Sequence, residues 1–125
     1  MKRSRGGIRD DLGIYVRSSW EANYARYLNL LKARGKILKW AFEPTEFEFY
    51  EIKRGTRFYL PDFAIWIDET EDPTYYVEVK GYMDKKSKTK LRRMAKYYPE
   101  IDVRVVGKKE YQQIARWAKV ISGWE

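Results

Sequence analysis

In RSSWEANYARYLNLLKARG, apolar positions recur three and four residues apart, with Trp20, Tyr24, Tyr27, Leu28 and Leu31 on one stripe; this spacing predicts an amphipathic helix. Ser18 is placed to cap its start and Gly35 to end it. Further along, TEFEFYEI and TRFYLPDFAIWI alternate as half-buried strands do, with Phe63, Ile65 and Ile67 on one side. The turn residues Lys53, Arg54 and Gly55 between them predict a hairpin. After the polar loop DETEDPT, YYVEVK reads as a third strand. Asp84 then caps a helix that runs to Tyr98 and stops at Pro99, turning Leu91, Met94, Ala95 and Tyr98 inward. IDVRVV predicts one more strand, and residues 109–121 a last helix burying Tyr111, Ile114, Ala115, Ala118 and Ile121. The expected order is α-β-β-β-α-β-α, an α/β fold of α+β-like character with helices flanking a mixed central sheet. Residues 1–16, rich in Gly, Arg and Lys, are expected to form a flexible basic arm before a single domain spanning 17–125.

Composition narrows the chemistry. The 125 residues include no Cys and no His, which removes thiolate and imidazole metal sites, disulfides and histidine-assisted nucleophiles. A metal would have to be held by oxygen, and oxygen ligands suit hard cations such as Mg²⁺, with Mn²⁺ able to substitute. The formal net charge of +8 favours a polyanionic partner, nucleic acid first. No apolar run approaches membrane-spanning length, and MKRSRGG lacks the apolar stretch of a signal peptide. A cytoplasmic protein with no membrane partner is therefore expected.

The acids and bases in the strands hold the remaining information. Side chains two apart in a strand share a face, so Tyr76, Glu78 and Lys80 point one way and Val77 and Val79 the other. An acid beside a base on a solvated strand is commonly a surface ion pair of little energetic weight. Pro61-Asp62 alters that balance, because proline removes a ladder donor and marks an edge or bulge that re-aims the next side chain. If the Asp62 and Glu78 strands pair with both acids on one face, they make an oxygen-ligand pocket with Lys80 one pleat away. Such a set suits phosphodiester cleavage: carboxylates hold a cation, and an ammonium orients water or stabilises charge on phosphorus. Glu21 has a complete structural explanation in the capping box Ser18-Ser19-Trp20-Glu21, yet it also lies at the margin of the apolar stripe and so points toward the sheet. Glu43, Glu46 and Glu48 read as the wet face of a strand. Lys85, Lys86, Lys88, Lys90, Arg92, Arg93 and Lys96 crowd the second helix against one nearby acid, Asp84; such repulsion calls for a polyanion.

Pro61-Asp62 followed by Glu78-Val79-Lys80 resembles the signature of the PD-(D/E)XK nuclease superfamily. The flanking words are similar to the phage endonuclease I family of Holliday-junction resolvases: Gly7-Ile8-Arg9, Arg17-Ser18 with Glu21, Pro61-Asp62-Phe63, Val77-Glu78 with Lys80-Gly81, and Pro99-Glu100 with Asp102, Arg104 and Val106. Transposon end-cutting nucleases of the TnsA type also carry a helix glutamate of this kind. The resemblance implies a restriction-endonuclease-like core. It implies Asp62, Glu78, the Val79 carbonyl and Glu21 as metal ligands, and Lys80 as the residue assisting the attacking water. It further implies a Mg²⁺-dependent endonuclease cutting branched DNA in recombination, in the host cytoplasm if phage-encoded. A homodimer is expected, since resolving a junction takes two symmetric cuts. Arg3, Arg5, Arg9 and Arg17 join Lys85, Lys86, Lys88, Lys90, Arg92 and Arg93 as expected DNA contacts. Residues 45–56 depart from the family's connector, so exchange of elements between protomers is not expected. The alternatives are a nuclease of the same superfamily acting in transposon end-cutting, nicking, repair or restriction, and a non-catalytic DNA-binding module.

Overall fold

A computed structural model describes residues 5–125. The chain is a mixed α/β protein with three α-helices and a four-stranded mixed sheet. It begins with a β-ribbon, β1 (Gly7–Arg9) against β2 (Ile14–Val16), followed by helix α1 (Ser19–Ala33). The sheet is built from β3 (Lys39–Phe42), β6 (Phe63–Trp66), β7 (Tyr75–Val79) and β8 (Val103–Val106), in the order β3-β6-β7-β8. The first two pairings are antiparallel and β7–β8 is parallel, which requires the crossover through helix α2 (Lys85–Tyr97). A two-residue ribbon, β4 (Phe47–Glu48) on β5 (Phe58–Tyr59), lies apart from the sheet. Helix α3 (Lys108–Ala115) and a 3₁₀ turn at Ala118–Val120 close the chain.

The helix starts follow from local chemistry. The Ser18 hydroxyl accepts from the Glu21 N–H, the Asp84 carboxylate accepts from the Ser87 N–H, and Gly35 takes a left-handed φ of 70° just past α1. Each face of the sheet carries its own core. One packs Tyr24, Ala25 and Leu28 of α1 and Tyr111 of α3 onto Phe63, Ile65, Val77 and Val79. The other packs Phe47, Phe49 and Tyr59 of the β4–β5 ribbon and Met94 of α2 onto Ala64 and Tyr76. β6 is consequently covered on both sides, with Phe63, Ala64 and Ile65 fully buried.

Several expectations change. The segment after Arg57 is not one long strand: it pairs with β4 only as far as Tyr59, and Pro61, lacking an N–H, ends that ladder. β6 then joins β3, a strand the alternation did not reveal, and Ile67 is exposed instead of inward. Residues 7–16 are a ribbon in place of a flexible arm. Val16 is fully buried, Arg9 pairs with Glu125 at 2.6 Å, and the buried Arg26 guanidinium grips Asp11. On α2, Ala95 is exposed and Ser87 takes a buried position. The last helix stops at Ala115, although Ile121 still reaches the core. No helix among the described residues is long and apolar enough to cross a membrane.

Phe63 is the hub of the aromatic packing, with Tyr24, Trp40 and Phe42 rings all within 5.7 Å of its own. Phe63→Ala should cost about 3–5 kcal/mol of unfolding free energy in a urea titration. A cost below ~1 kcal/mol would show that this cluster does not hold β6 in place.

Candidate active site

Asp62 directly precedes β6, and the register of Phe63 with Val77, carried one residue further, sets Asp62 opposite Glu78 on β7. Both acids stand on the sheet face of Ala64 and Tyr76. Asp62 is only 4% exposed. Its Oδ2 accepts from the Val79 N–H at 2.7 Å and its Oδ1 from the Arg17 guanidinium at 3.1 Å. Glu78 Oε2 is buried without a hydrogen-bond partner, and so is the Tyr59 hydroxyl that faces it.

Helix α1 brings Glu21 to the end of this pair. Glu21 is buried; its Oε1 accepts from the Arg17 N–H at 2.9 Å, and its Oε2 lies 3.6 Å from Arg17 Nε. The glutamate therefore caps the helix and faces the site at once, reaching back one residue further than the capping box expected. Gly81 lets β7 leave beneath α1: a Cβ there would stand 3.2 Å from the Trp20 ring, which itself stacks on Tyr111 at 4.0 Å. This close passage holds Lys80 beside the start of α1.

A hollow of about 250 Å³ gathers these groups, lined by Glu21, Asp62, Glu78 and Lys80 together with Arg17, Glu43, Val79 and Lys90. Glu43 is the member that the sequence did not reveal. It directly follows β3 with φ 49°, an unusual conformation for a residue other than glycine, and its N–H donates to the Asp62 carbonyl at 2.8 Å. Its carboxylate accepts from Arg17 at 3.1 Å. Because β3 was not foreseen, no sequence pattern placed Glu43 beside Asp62; the pair Glu43-Pro44 closing an aromatic run was the only local signal.

Electrostatically the centre is crowded. Burial, then the neighbouring charges of Glu78 and Glu21, push the Asp62 carboxyl up to about 8, against the opposing help of the Val79 N–H and Arg17. Burial also raises Glu78, while contact with Asp62 and the charges of Lys80 and Lys90 oppose the rise. Among the described residues, no three carboxylates stand close enough to make a metal cage by themselves. Mg²⁺ does not need one, since it commonly takes one or two carboxylates and keeps its waters. An all-oxygen pair with one oxygen lacking a partner suits such an ion.

The remaining expected contacts are spread differently. Arg3 lies outside the described residues, and Arg5 is exposed. Arg9 is held by Glu125 rather than free, and Arg17 spans Glu43, Asp62 and Glu21. Lys85, Lys86, Lys88 and Arg92 are exposed on α2, Lys90 turns into the hollow, and Arg93 donates to the Thr56 carbonyl, bracing the β4–β5 turn against the helix. No family model, curated protein or solved structure matches the chain.

A carboxyl raised on folding stabilises the fold below its unfolded pKa and loses that contribution as pH climbs through the folded value. For Asp62 this window runs from about 4 to about 8. Asp62→Asn should therefore melt higher than the parent at pH 8 in EDTA, by roughly 4 °C per kcal/mol relieved in a domain of this size, and equally near pH 4. Melting curves that stay parallel across this range would contradict the crowding.

Proposed function

We propose that this chain is a divalent-cation-dependent DNA endonuclease of the PD-(D/E)XK type with a restriction-endonuclease-like core, acting on branched DNA such as four-way junctions. The observation that carries the reading is that the buried Asp62 and the half-buried Glu78 lie opposite each other on adjoining strands, on one face, in a hollow that also takes Lys80. The ordered resemblance of residues 7 to 107 to junction resolvases points to the branched target. Two symmetric cuts require two such sites, hence a homodimer.

In this reading Asp62 and Glu78 hold the cation, with the Val79 carbonyl and Glu21 completing its surroundings. A bound Mg²⁺ would polarise the phosphoryl oxygen and acidify a coordinated water. The Lys80 ammonium orients the attacking water and offsets charge growing on the phosphate. A cation held by Asp62 would compete with Arg17, which pairs with that carboxylate at 3.1 Å. Exposed Lys85, Lys86, Lys88 and Arg92 engage phosphates without reading sequence. The bridging of Glu21, Glu43 and Asp62 by Arg17 is also what a non-catalytic DNA-binding module would use to neutralise its acids, and this keeps that second reading in play.

One experiment separates them. A labelled four-way junction and a linear duplex of matching sequence are incubated with the protein, with and without Mg²⁺. The parent chain should cut the junction preferentially and only with the cation. Asp62→Ala, Glu78→Ala and Lys80→Ala should each slow cutting by about 10²- to 10³-fold or more while junction binding persists. Cation-independent behaviour, with Lys80→Ala matching the parent, would leave only the binding module; preference for the linear duplex would remove the junction target. Light scattering should return twice the mass of one chain.

A further inference from the structure

The acid-lined hollow shares walls with two neighbouring hollows. Beside α1 it adjoins a second hollow of about 500 Å³, with which it shares Arg17, Glu21, Val79 and Lys80, and whose outer wall is Tyr82. Beside the β4–β5 turn it adjoins a third of about 450 Å³, sharing Leu60 and Lys90 and lined further by Arg57, Phe58 and Lys86. The three form one trough with the acids at its middle.

Each end presents a ring to solvent. Tyr82 is 79% exposed and Phe58 41% exposed, and the Arg57 guanidinium lies 5.4 Å from the Phe58 ring centre. Neither ring is needed by a core. The Phe58 end is lined by three cations, Arg57, Lys86 and Lys90, and one acid, Glu46, with Arg57 also 3.8 Å from Glu48. The turn that bears it is braced on α2 by the Arg93 contact to Thr56. Cations that follow a backbone, alternating with rings on which bases stack, make a surface for an unpaired strand. In a duplex the base faces are stacked on one another and closed to such rings. An acidic peptide would meet the same cations but offers no flat π-faces to Tyr82 and Phe58.

We infer that the trough binds an unpaired stretch of nucleic-acid strand, stacking one base on Tyr82 and another on Phe58, with its phosphates along Arg57, Lys86 and Lys90. The location of the scissile linkage between the two rings rests on the reading of Asp62 and Glu78 as the cleavage centre; the binding itself does not. Strand access of this kind would favour branch points, flaps and frayed ends over uninterrupted duplex.

The test is fluorescence anisotropy in EDTA with a labelled oligothymidylate and a labelled duplex, using the parent chain, Tyr82→Ala, Phe58→Ala and Arg57→Ala. Both ring positions are exposed, and unchanged melting temperatures would certify the folds. Each ring variant should bind oligothymidylate about 5- to 100-fold more weakly and duplex as the parent does. Arg57→Ala should flatten the salt dependence of oligothymidylate binding by about 0.7 in log–log slope. A parent chain that does not bind oligothymidylate, or ring variants that bind it undiminished, would overturn the inference. A parallel incubation of a labelled four-way junction with Mg²⁺ keeps the two ideas apart. Weakened ring variants with no cutting by the parent would sink the nuclease reading alone; cutting with undiminished ring variants would sink the strand trough alone.

Discussion

Two carboxyl groups face each other across β6 and β7 where little water reaches them; burial makes both charges costly, and the charge of Glu78 makes that of Asp62 costlier still. The groups around them answer that problem. The Val79 N–H and the Arg17 guanidinium reach Asp62 directly, and Lys80 and Lys90 lower the cost of charge on Glu78 from nearby. One oxygen of Glu78 and the hydroxyl of Tyr59 remain without partners in the interior. Buried polar atoms are ordinarily satisfied, so these two unmet groups, facing each other, set this place apart among the described residues.

Holding like charges together needs a stiff frame, which the two cores provide. β6 and β7 are clamped between α1 on one side and the β4–β5 ribbon with α2 on the other, so neither strand can twist its acid away. Phe63, next in chain to Asp62, and Val77 and Val79, which flank Glu78, all pack into the α1-side core and anchor both strands behind their acids. Pro61 supplies the break that lets the chain leave the small ribbon and enter the sheet with Asp62 at the join. Glu43 adds to this frame through its backbone. Its N–H is bonded to the Asp62 carbonyl, and its left-handed φ turns the carboxylate back over Arg17.

The positive charge is distributed with equal consequence. Some cations are spent internally: Arg9 and Arg26 fasten the first ribbon and α1 through Glu125 and Asp11, and Arg93 braces the β4–β5 turn. Of those left exposed, Lys85, Lys86, Lys88 and Arg92 lie on α2 and Arg54 and Arg57 around the turn, while Lys32, Arg34, Lys36, Lys108, Lys109 and others lie elsewhere on the surface. A net charge of +8 thus resolves into a structural share and a share open to a polyanion, and only the second bears on partners.

Local patterns along the chain were enough to establish α1 and α2 with their caps, β7 and β8, and the same-face placement of Glu78 and Lys80. Such features depend on residues a few positions apart, which helical and strand periods report directly. Pro61 was readable as an edge or bulge, because a missing N–H has a local cause, but that it divides the segment into two strands in different sheets was not. Only the folded chain decided that β3 pairs with β6, that Glu43 stands beside Asp62, that Arg9 is held by Glu125, and that residues 7–16 form a docked ribbon. Those contacts join positions from about twenty to over a hundred residues apart. Each depends on which distant surface happens to be apolar or oppositely charged, and no period within a single segment encodes that. The same holds for the raised carboxyls: the sequence supplies the acids, whereas their burial and mutual approach belong to the tertiary structure.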